Sequence, residues 1–503
     1  MRLLNLIRLT PPALLAALPV TSSALAAPAR YTVVELGTLG GRASYARAID
    51  NNGRIVGWAS DSFGRTRAFK TDRIRPLLPT DELGMPPADG LPGAPEGAVA
   101  MGIADNGTVA GFTRDSRGGD WPWLWMPDGR IVSGATGSGS FLRMTPAGDA
   151  VGHVYRWSST AGTMVKAPYV RRADGSSSTL STYDGDSLVV DAASSRLMIG
   201  TFKISASAEG HAFVWRGAAT AVDLGLFGGP GPKRGTAIAS TGRWAGSTGN
   251  SYEGLAFTAA SSEATPVELP HPGKVRSEVR AVDAFDRLVG WAATGARGSG
   301  GAPQAYYWHV GATDIEVVDL QTRVPGWAGY LMEASGINAE GAILVDALIG
   351  RDNRAVVLVP VKLAISVPER VHTGSVSEFT ISGCEPGAQV QIYSSRSAPV
   401  PGRGRGYRAM GIRWDIAGPQ ILGPSAVADA SGVARVRVNV TAPAGQPLYL
   451  QAIHRGNKSE VVTLTPTPAP RVVPGVTLPP GSTGPQLPGG KGLVPVVPLD
   501  LKQ

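Results

Sequence analysis

Few residues of this 503-residue chain have the types and spacing that chemistry at one centre requires. The six histidines are scattered, and no H-E-x-x-H pattern or cysteine–histidine group brings metal ligands together. Cys384 is the single cysteine, and Ser138 and Ser299 lie in glycine runs rather than in a G-x-S-x-G elbow. We therefore predict no catalytic residue, no metal site and no cofactor.

Aromatic side chains at strand-like spacing are the next candidates for binding. Trp121, Trp123 and Trp125 alternate in D-W-P-W-L-W, which suggests a platform on which sugar rings could stack. Trp123 and Trp125 align with aromatic residues of another copy of the repeat described below, so we assign both to packing. Trp121 aligns with His211 of that copy. We predict Trp121 and His211 as ligand contacts.

Residues 401–414, P-G-R-G-R-G-Y-R-A-M-G-I-R-W, concentrate basic and aromatic side chains. Arg403, Arg405, Tyr407 and Arg408 have the chemistry to neutralise and stack on an anionic ligand. A solvated loop is the simpler interpretation, because charge without periodicity is typical of exposed segments. We keep these four residues as candidate ligand contacts.

The N-terminus predicts export. Arg2 and Arg8 precede an apolar stretch, and small residues at Ala24 and Ala26 suit signal peptidase, so residues 1–26 are predicted to be a signal peptide. No later stretch approaches the ~18 unbroken apolar residues of a membrane span. We expect a secreted, periplasmic or cell-surface protein, for which nucleic acid is not an expected partner. The net charge of +8 permits an anionic partner without requiring one.

A unit of about 48 residues occurs seven times and must position any site. Each copy is predicted to contain a strand, a tight polar turn and a second strand with a marker glycine. A loop then leads to a third strand in which a small residue precedes an aromatic one. The first copy reads S-Y-A-R-A-I-D-N-N-G-R-I-V-G-W-A-S, followed by R-A-F-K. The marker positions are Gly57, Gly111, Gly152, Gly200, Gly246, Gly290 and, in the last copy, Val345. The aromatic positions are Phe69, Trp123, Tyr169, Phe213, Phe257, Tyr306 and, in the last copy, Val356.

The residue before each aromatic is alanine or proline, small enough to let a neighbouring sheet approach. One unit cannot bury its own aromatic side chain, so the units are predicted to stack on one another. A fourth short strand is predicted after each of the first six units: I-R-P-L-L-P, R-I-V-S-G, S-T-L-S-T, A-V-D-L-G, P-V-E-L-P and V-V-D-L-Q.

The seventh unit has no such strand after it, whereas T-V-V-E-L-G stands before the first unit with no unit in front. We predict that this N-terminal segment completes the last sheet and closes a ring. The resulting fold class is all-β, with a seven-bladed β-propeller over residues 27–362.

The segments L-G-T-L-G-G, A-I-D-N-N-G-R-I-V-G-W-A-S and H-A-F-V-W-R-G-A-A-T-A-V-D-L-G-L-F-G-G resemble the bacterial extracellular repeats of the HAF family. That family takes its name from the tripeptide seen here at His211-Ala212-Phe213. The resemblance covers about 330 residues and implies an exported β-repeat protein. It implies no catalytic residue.

The chain changes character after the repeats. Residues 363–465 alternate apolar and polar residues around Pro-Gly turns, which predicts six or seven short strands and an immunoglobulin-like β-sandwich. The segments P-G-A-Q-V, A-D-A-S-G-V-A-R-V and L-Q-A-I resemble accessory β-sandwich modules at the ends of exported bacterial proteins. Residues 466–503 are rich in proline and glycine and are predicted to be disordered.

The sequence favours an exported, non-enzymatic binding or cell-surface interaction protein that uses propeller loops as its recognition surface. Its candidate partners are an anionic cell-surface glycan or another exported protein. The alternative is an extracellular propeller enzyme, a glycosidase or polysaccharide lyase. A glycosidase would need two carboxylates about 5–9.5 Å apart. Asp50, Asp105 and Asp283 are the candidates for that role.

Overall fold

The computed structural model describes residues 30–469, apart from residues 88–90, 136, 160–161, 181–185, 204–209, 218–220, 226–231, 250–253, 296–300, 312–313, 385–386, 398, 400–415, 417, 455–456 and 460. The predicted signal peptide and most of the predicted tail lie outside the described residues. The candidates Arg403, Arg405, Tyr407 and Arg408 also lie outside them.

Between residues 31 and 360, the described part of the chain forms seven antiparallel sheets, which we number by their sequence units. Sheet 1 contains β2 (Gly40–Ile49), β3 (Ile55–Asp61) and β4 (Thr66–Lys70). Sheet 2 contains β5 (Pro95–Ile103), β6 (Val109–Asp115), β7 (Asp120–Trp125) and β8 (Ile131–Ser133). Sheet 3 contains β9 (Gly139–Met144), β10 (Ala150–Ser158), β11 (Thr163–Arg171) and β12 (Ser177–Thr179).

The remaining four sheets follow the same order. Sheet 4 contains β13 (Ser187–Ser194), β14 (Leu197–Lys203), β15 (Gly210–Trp215) and β16 (Val222–Asp223). Sheet 5 contains β17 (Lys233–Ile238), β18 (Trp244–Thr248), β19 (Leu255–Ala259) and β20 (Val267–Glu268). Sheet 6 contains β21 (Arg276–Val282), β22 (Arg287–Ala293), β23 (Gln304–Val310) and β24 (Ile315–Asp319). Sheet 7 contains β25 (Tyr330–Ile337), β26 (Ile343–Ile349), β27 (Asp352–Pro360) and β1 (Tyr31–Glu35).

Short 3-10 turns at Pro79–Asp81 and Leu320–Arg323 are the helical segments of the described residues. The prediction of an all-β chain built from repeated four-stranded sheets is therefore confirmed.

The N-terminal strand β1 joins the last sheet, as the sequence predicts. It pairs antiparallel with β27, with Tyr31 opposite Pro360 and Val33 opposite Leu358. The backbone pairing continues where the N–H of Leu36 donates to the carbonyl of Ala355 at 3.0 Å. The two ends of the repeat region are thus hydrogen-bonded to each other.

Consecutive sheets pack through separate apolar clusters. Ala68 of sheet 1 is fully buried against sheet 2, whereas its neighbour Phe69 packs toward sheet 7 with Leu344 and Val357. Similar clusters join sheets 2 and 3, 3 and 4, 4 and 5, 5 and 6, and 6 and 7. In sheets 1, 4, 5 and 6, the alanine and the aromatic residue of the third strand therefore face opposite neighbours, as alternation along a strand requires.

The predicted fourth strand of the first unit is wrong. Sheet 1 has three strands in the described chain, and residues 74–79 run past it before a single bridge joins Phe69 to Glu82. Pro76 and Pro79 lack the N–H that a ladder needs. The other five predicted fourth strands overlap β8, β12, β16, β20 and β24, most of which are shorter than predicted.

Residues 364–464 form two further sheets. One contains β28 (Ala364–Ser366), β29 (Val376–Ser382) and β33 (Ala434–Asn439). The other contains β30 (Gln389–Ser395), β31 (Gln420–Ile421), β32 (Ala426–Val427), β34 (Leu448–His454), β35 (Asn457–Lys458) and β36 (Val462–Leu464). Phe379, Val436, Ile392 and Leu450 share one buried core between the sheets, and Cys384 lies within it.

Candidate functional site

The first strands of all seven sheets surround a central cavity of about 290 Å³. Each strand carries a register shift that bends it and re-aims its side chains, because a β-bulge places one extra residue opposite the partner strand. The cavity lining is partly charged and includes Arg47, Arg143 and Asp191.

Arg143 crosses the central cavity. Its guanidinium donates to the carbonyls of Arg47 in sheet 1 at 3.1 Å and of Arg280 in sheet 6 at 3.2 Å, and it lies 3.4 Å from Asp191 of sheet 4. Burial raises the pKa of Asp191, although Arg143 opposes that shift. A side chain that bridges three sheets stabilises the cavity wall.

The hairpin turns at one end of the cavity connect neighbouring sheets. Asp50 accepts hydrogen bonds from the backbone N–H groups of Asn52 and Arg54 and from the Arg54 guanidinium. That guanidinium also donates to the carbonyls of Ala104 and Asp105 in sheet 2. The Asp50 carboxylate therefore stabilises its own turn and the arginine that joins two sheets.

Asp283 has the same structural role in sheet 6. It accepts from the backbone N–H of Arg287 and pairs with the Arg287 guanidinium, which donates to the carbonyls of Asn338 and Ala339 in sheet 7. Asp105 joins the turn of sheet 2 to the turn of sheet 3 through its backbone N–H, which donates to the carbonyl of Pro146 at 3.0 Å. Two of the three candidate glycosidase carboxylates are thus occupied in turn formation.

A larger concavity, which we call the basic cleft, lies where the first strands of sheets 5, 6 and 7 begin, away from the hairpin turns. It has a volume of about 520 Å³, and its lining includes Arg234, Arg276, Arg280, Trp291, Glu278 and Glu333. These side chains come from strands rather than from loops, so their positions are fixed by the sheets.

One arginine of the cleft is neutralised by two carboxylates. Arg280 donates to Glu278 at 2.8 Å and also forms an ion pair with Glu333. Burial raises the pKa of Glu278, with Arg280 acting against the shift and Glu333 adding to it.

The other cations of the basic cleft are placed differently. The Arg276 guanidinium lies 5.4 Å from the centre of the Trp291 ring and donates to the carbonyl of Gly295 at 2.7 Å. Arg234 is exposed at the start of β17. Among the described residues, the Trp291 indole N–H has no hydrogen-bond partner. The cleft therefore combines cationic groups, an aromatic ring and a polar donor.

The predicted contacts Trp121 and His211 are not brought together. Trp121 lies on β7 of sheet 2 and donates its indole N–H to Asp115 at 3.1 Å. His211 lies on β15 of sheet 4, 3.1 Å from Asp223, with its ring beside Phe202. Both residues occupy the same repeat position, but sheet 3 separates their sheets.

Sequence reasoning missed the basic cleft. The available signal was charge inside a predicted strand, in S-E-V-R-A-V-D around Glu278 and Arg280, and in L-M-E-A-S-G around Glu333. In the described residues, no group of three or more His, Cys, Asp or Glu side chains is arranged to hold a metal ion. No helix in the described chain is long and apolar enough to cross a membrane.

No family model and no curated protein sequence matches this chain. Among solved structures, it is similar to a prolyl endopeptidase with a TM-score of 0.40 and 10% identity, over 79% of this chain and 60% of that one. The chain thus spans about three fifths of that enzyme. It is similar to YCF48 bound to a D1 peptide with a TM-score of 0.38 and 11% identity, over 69% and 99% of the two chains. It is also similar to the Aleuria aurantia lectin, a six-bladed propeller, with a TM-score of 0.33 and 13% identity, over 59% and 98%.

Proposed function

We propose that the chain is an exported HAF-family protein with a seven-bladed propeller followed by an immunoglobulin-like module. The unit pattern and the sequence around His211 support the family. The apolar cluster between sheets 7 and 1, together with the pairing of β1, supports a closed ring of seven blades. The N-terminal residues support export to the periplasm, the medium or the cell surface.

We infer that the basic cleft binds acidic saccharides and that the protein is a non-enzymatic glycan-binding protein. The observation that carries this proposal is a concavity of about 520 Å³ whose lining includes three arginines, a tryptophan and two glutamates, both of which pair with Arg280. Arginine recognises carboxylates through paired N–H donors, and an aromatic ring offers a face for sugar C–H groups. Arg280 is already paired with two glutamates, and Arg276 is buried against the Trp291 ring and the Gly295 carbonyl, so the exposed Arg234 is the cation that would meet the ligand.

The experiment is calorimetric titration of the mature protein with trigalacturonate and, separately, with neutral maltotriose. We expect trigalacturonate to bind and maltotriose to bind at least tenfold more weakly. Arg234→Gln should weaken trigalacturonate binding by at least tenfold, because a hydrogen bond to a charged group contributes roughly 1.5–3 kcal/mol.

Arg130→Gln is the matched control for that substitution. Arg130 is an exposed arginine of sheet 2 that pairs with Asp128, far along the chain from the cleft. Equal trigalacturonate affinity in Arg234→Gln and in the unmodified protein would contradict the assignment of the cleft.

An extracellular glycosidase or polysaccharide lyase is the second candidate, and the same cleft favours it through one observation. Glu278 and Glu333 bind a common guanidinium, and burial raises the pKa of Glu278, as a general acid requires. Release of new reducing ends from polygalacturonate, lost in Glu278→Gln and in Glu333→Gln, would favour the enzyme over the binding protein.

A further inference from the structure

Two strands of sheet 3 extend beyond their sheet. β10 runs from Ala150 to Ser158, but its pairing with β9 ends at Val154. β11 runs from Thr163 to Arg171, but its pairing with β12 covers only its last three residues, from Tyr169. Residues 155–158 and 163–166 therefore form a two-stranded extension, which we call the ribbon. The corresponding strands of sheet 1 are shorter, with seven and five residues.

One face of the ribbon exposes large apolar side chains. Tyr155, Trp157 and Met164 are 38%, 65% and 51% exposed. Trp157 is directly opposite Met164, and Tyr155 is directly opposite Lys166. Because cross-strand partners and residues two apart share a face, all four side chains lie on the same side of the ribbon.

The other face of the ribbon holds it on the molecule. Val165 is 4% exposed and lies between Met164 and Lys166 in the sequence, so it points to the opposite side. His153, which is buried, contacts the Tyr155 ring edge-on at 5.5 Å. The ribbon is thus anchored by one face and by its base, and its aromatic face remains open to solvent.

An exposed aromatic face on a two-stranded extension is unfavourable by itself. Two paired strands are marginally stable in water, and adjacent exposed apolar side chains usually mark an interaction site. The cation beside these rings indicates the kind of partner. Lys166 lies on the same face as the rings, directly opposite Tyr155, whereas Arg156 is opposite Val165 and points to the other face.

We propose that the ribbon binds an extended acidic polysaccharide. Sugar C–H faces would stack on Tyr155 and Trp157, whose positions along the strand are about 6.6 Å apart, and Lys166 would meet the acidic groups. A second copy of this chain suits the face less well, because two such faces would bring like charges together. The ligand class rests on the proposed function, whereas the site is separate from the basic cleft.

The ribbon and the cleft together would give two contacts with one polymer. Two linked contacts raise the apparent affinity for a polymer well above that of either contact alone. A short oligosaccharide cannot use both. Polymer length is therefore the variable that separates the ribbon from the cleft.

The test measures binding of the mature protein to polygalacturonate and to trigalacturonate. The double variant Tyr155→Ser with Trp157→Ser should bind the polymer at least tenfold more weakly and keep its affinity for the trisaccharide. Phe63→Ser is the matched control, because Phe63 is an aromatic residue in the turn between β3 and β4 and is 79% exposed. Far-ultraviolet circular dichroism of each variant establishes that the fold is retained.

Each result is decisive for one of the two sites. Loss of polymer binding in the ribbon variant, with no effect of Arg234→Gln, would support the ribbon and overturn the cleft. Unchanged polymer binding in the ribbon variant would overturn the ribbon. Absence of binding to either acidic ligand would overturn both. As a second measurement, polygalacturonate should protect Trp157 from oxidation by N-bromosuccinimide, detected by mass spectrometry, and unchanged oxidation would contradict the proposal.

Discussion

At the scale of single residues, the marker glycine and the aromatic side chain form one cross-strand pair. Gly57 is directly opposite Phe69, and the same pairing joins Gly200 to Phe213. The register shift in the first strand brings a carbonyl toward the glycine, so a Cβ on Gly57 would lie 2.0 Å from the oxygen of Tyr45. The glycine is needed because backbone, and not a flexible side chain, occupies the space.

Gly57→Ala should therefore destabilise the protein by about 1–3 kcal/mol or more, as overpacking in a closed core does. Gly137→Ala is the control, because a Cβ there meets nothing within 4 Å. Urea denaturation of both variants measures the difference. A free energy of unfolding for Gly57→Ala equal to that of Gly137→Ala would contradict the steric account.

The seventh unit satisfies the same pair in another way. Val345 is directly opposite Val356, and both are fully buried. Two valines are paired there, where the other units pair a glycine with an aromatic residue. The sequence showed both departures, at the marker and at the aromatic, but it could not show that the two residues are directly opposed, because strand register is not visible in a single sequence.

At the scale of elements, the turn between the first two strands of a unit also joins neighbouring sheets. In sheet 6, Asp283 and Arg287 are both buried, and Arg287 reaches the carbonyls of Asn338 and Ala339. In sheet 1, Asp50 and Arg54 repeat the arrangement toward sheet 2. The sequences D-N-N-G-R and D-A-F-D-R predicted tight turns but not this second role.

Arg287→Ala should cost about 3–5 kcal/mol, because it leaves the Asp283 carboxylate buried without its cation. The comparison is Arg130→Ala, which removes the exposed partner of Asp128 and should cost less than about 1 kcal/mol. Thermal unfolding followed by circular dichroism would measure both. Similar melting temperatures for the two variants would show that the buried pair is not important for stability.

The sequence located most elements but not the site. Strand period and turn residues predicted the hairpins and five of the six fourth strands, because those signals are local. The predicted fourth strand of the first unit does not form, because Pro76 and Pro79 lack the backbone N–H that a ladder needs. The basic cleft depends on Arg234, Arg276 and Glu333, which belong to different units, and no local pattern relates their positions in space.

At the scale of the whole molecule, β1 contributes to the core between sheets 6 and 7. Tyr31 is 5% exposed and packs in the cluster that contains Tyr307 and Leu331. The free energy of that contact stabilises the junction between the first and last residues of the repeat region. Among the described residues, the Tyr31 hydroxyl has no hydrogen-bond partner.

Tyr31→Ala should lower the free energy of unfolding by about 3–5 kcal/mol, as other large aromatic truncations do. Tyr31→Phe should change it by less than about 1 kcal/mol, because the hydroxyl makes no hydrogen bond within the described chain. Guanidinium denaturation measures the free energy of unfolding of both variants. Equal stability of the alanine and phenylalanine variants would mean that the ring of Tyr31 does not hold the junction.

The pairing of Tyr31 with Pro360 also has a consequence for biosynthesis. A growing polypeptide carries β1 from the beginning, but the neighbour of that strand is made some 330 residues later. Any product that stops before residue 360 keeps an unsatisfied sheet edge and an uncovered apolar surface, both of which attract proteases and promote aggregation. Burial of the first strand therefore waits until β27 has been made, and copies terminated before that point would be removed rather than accumulate.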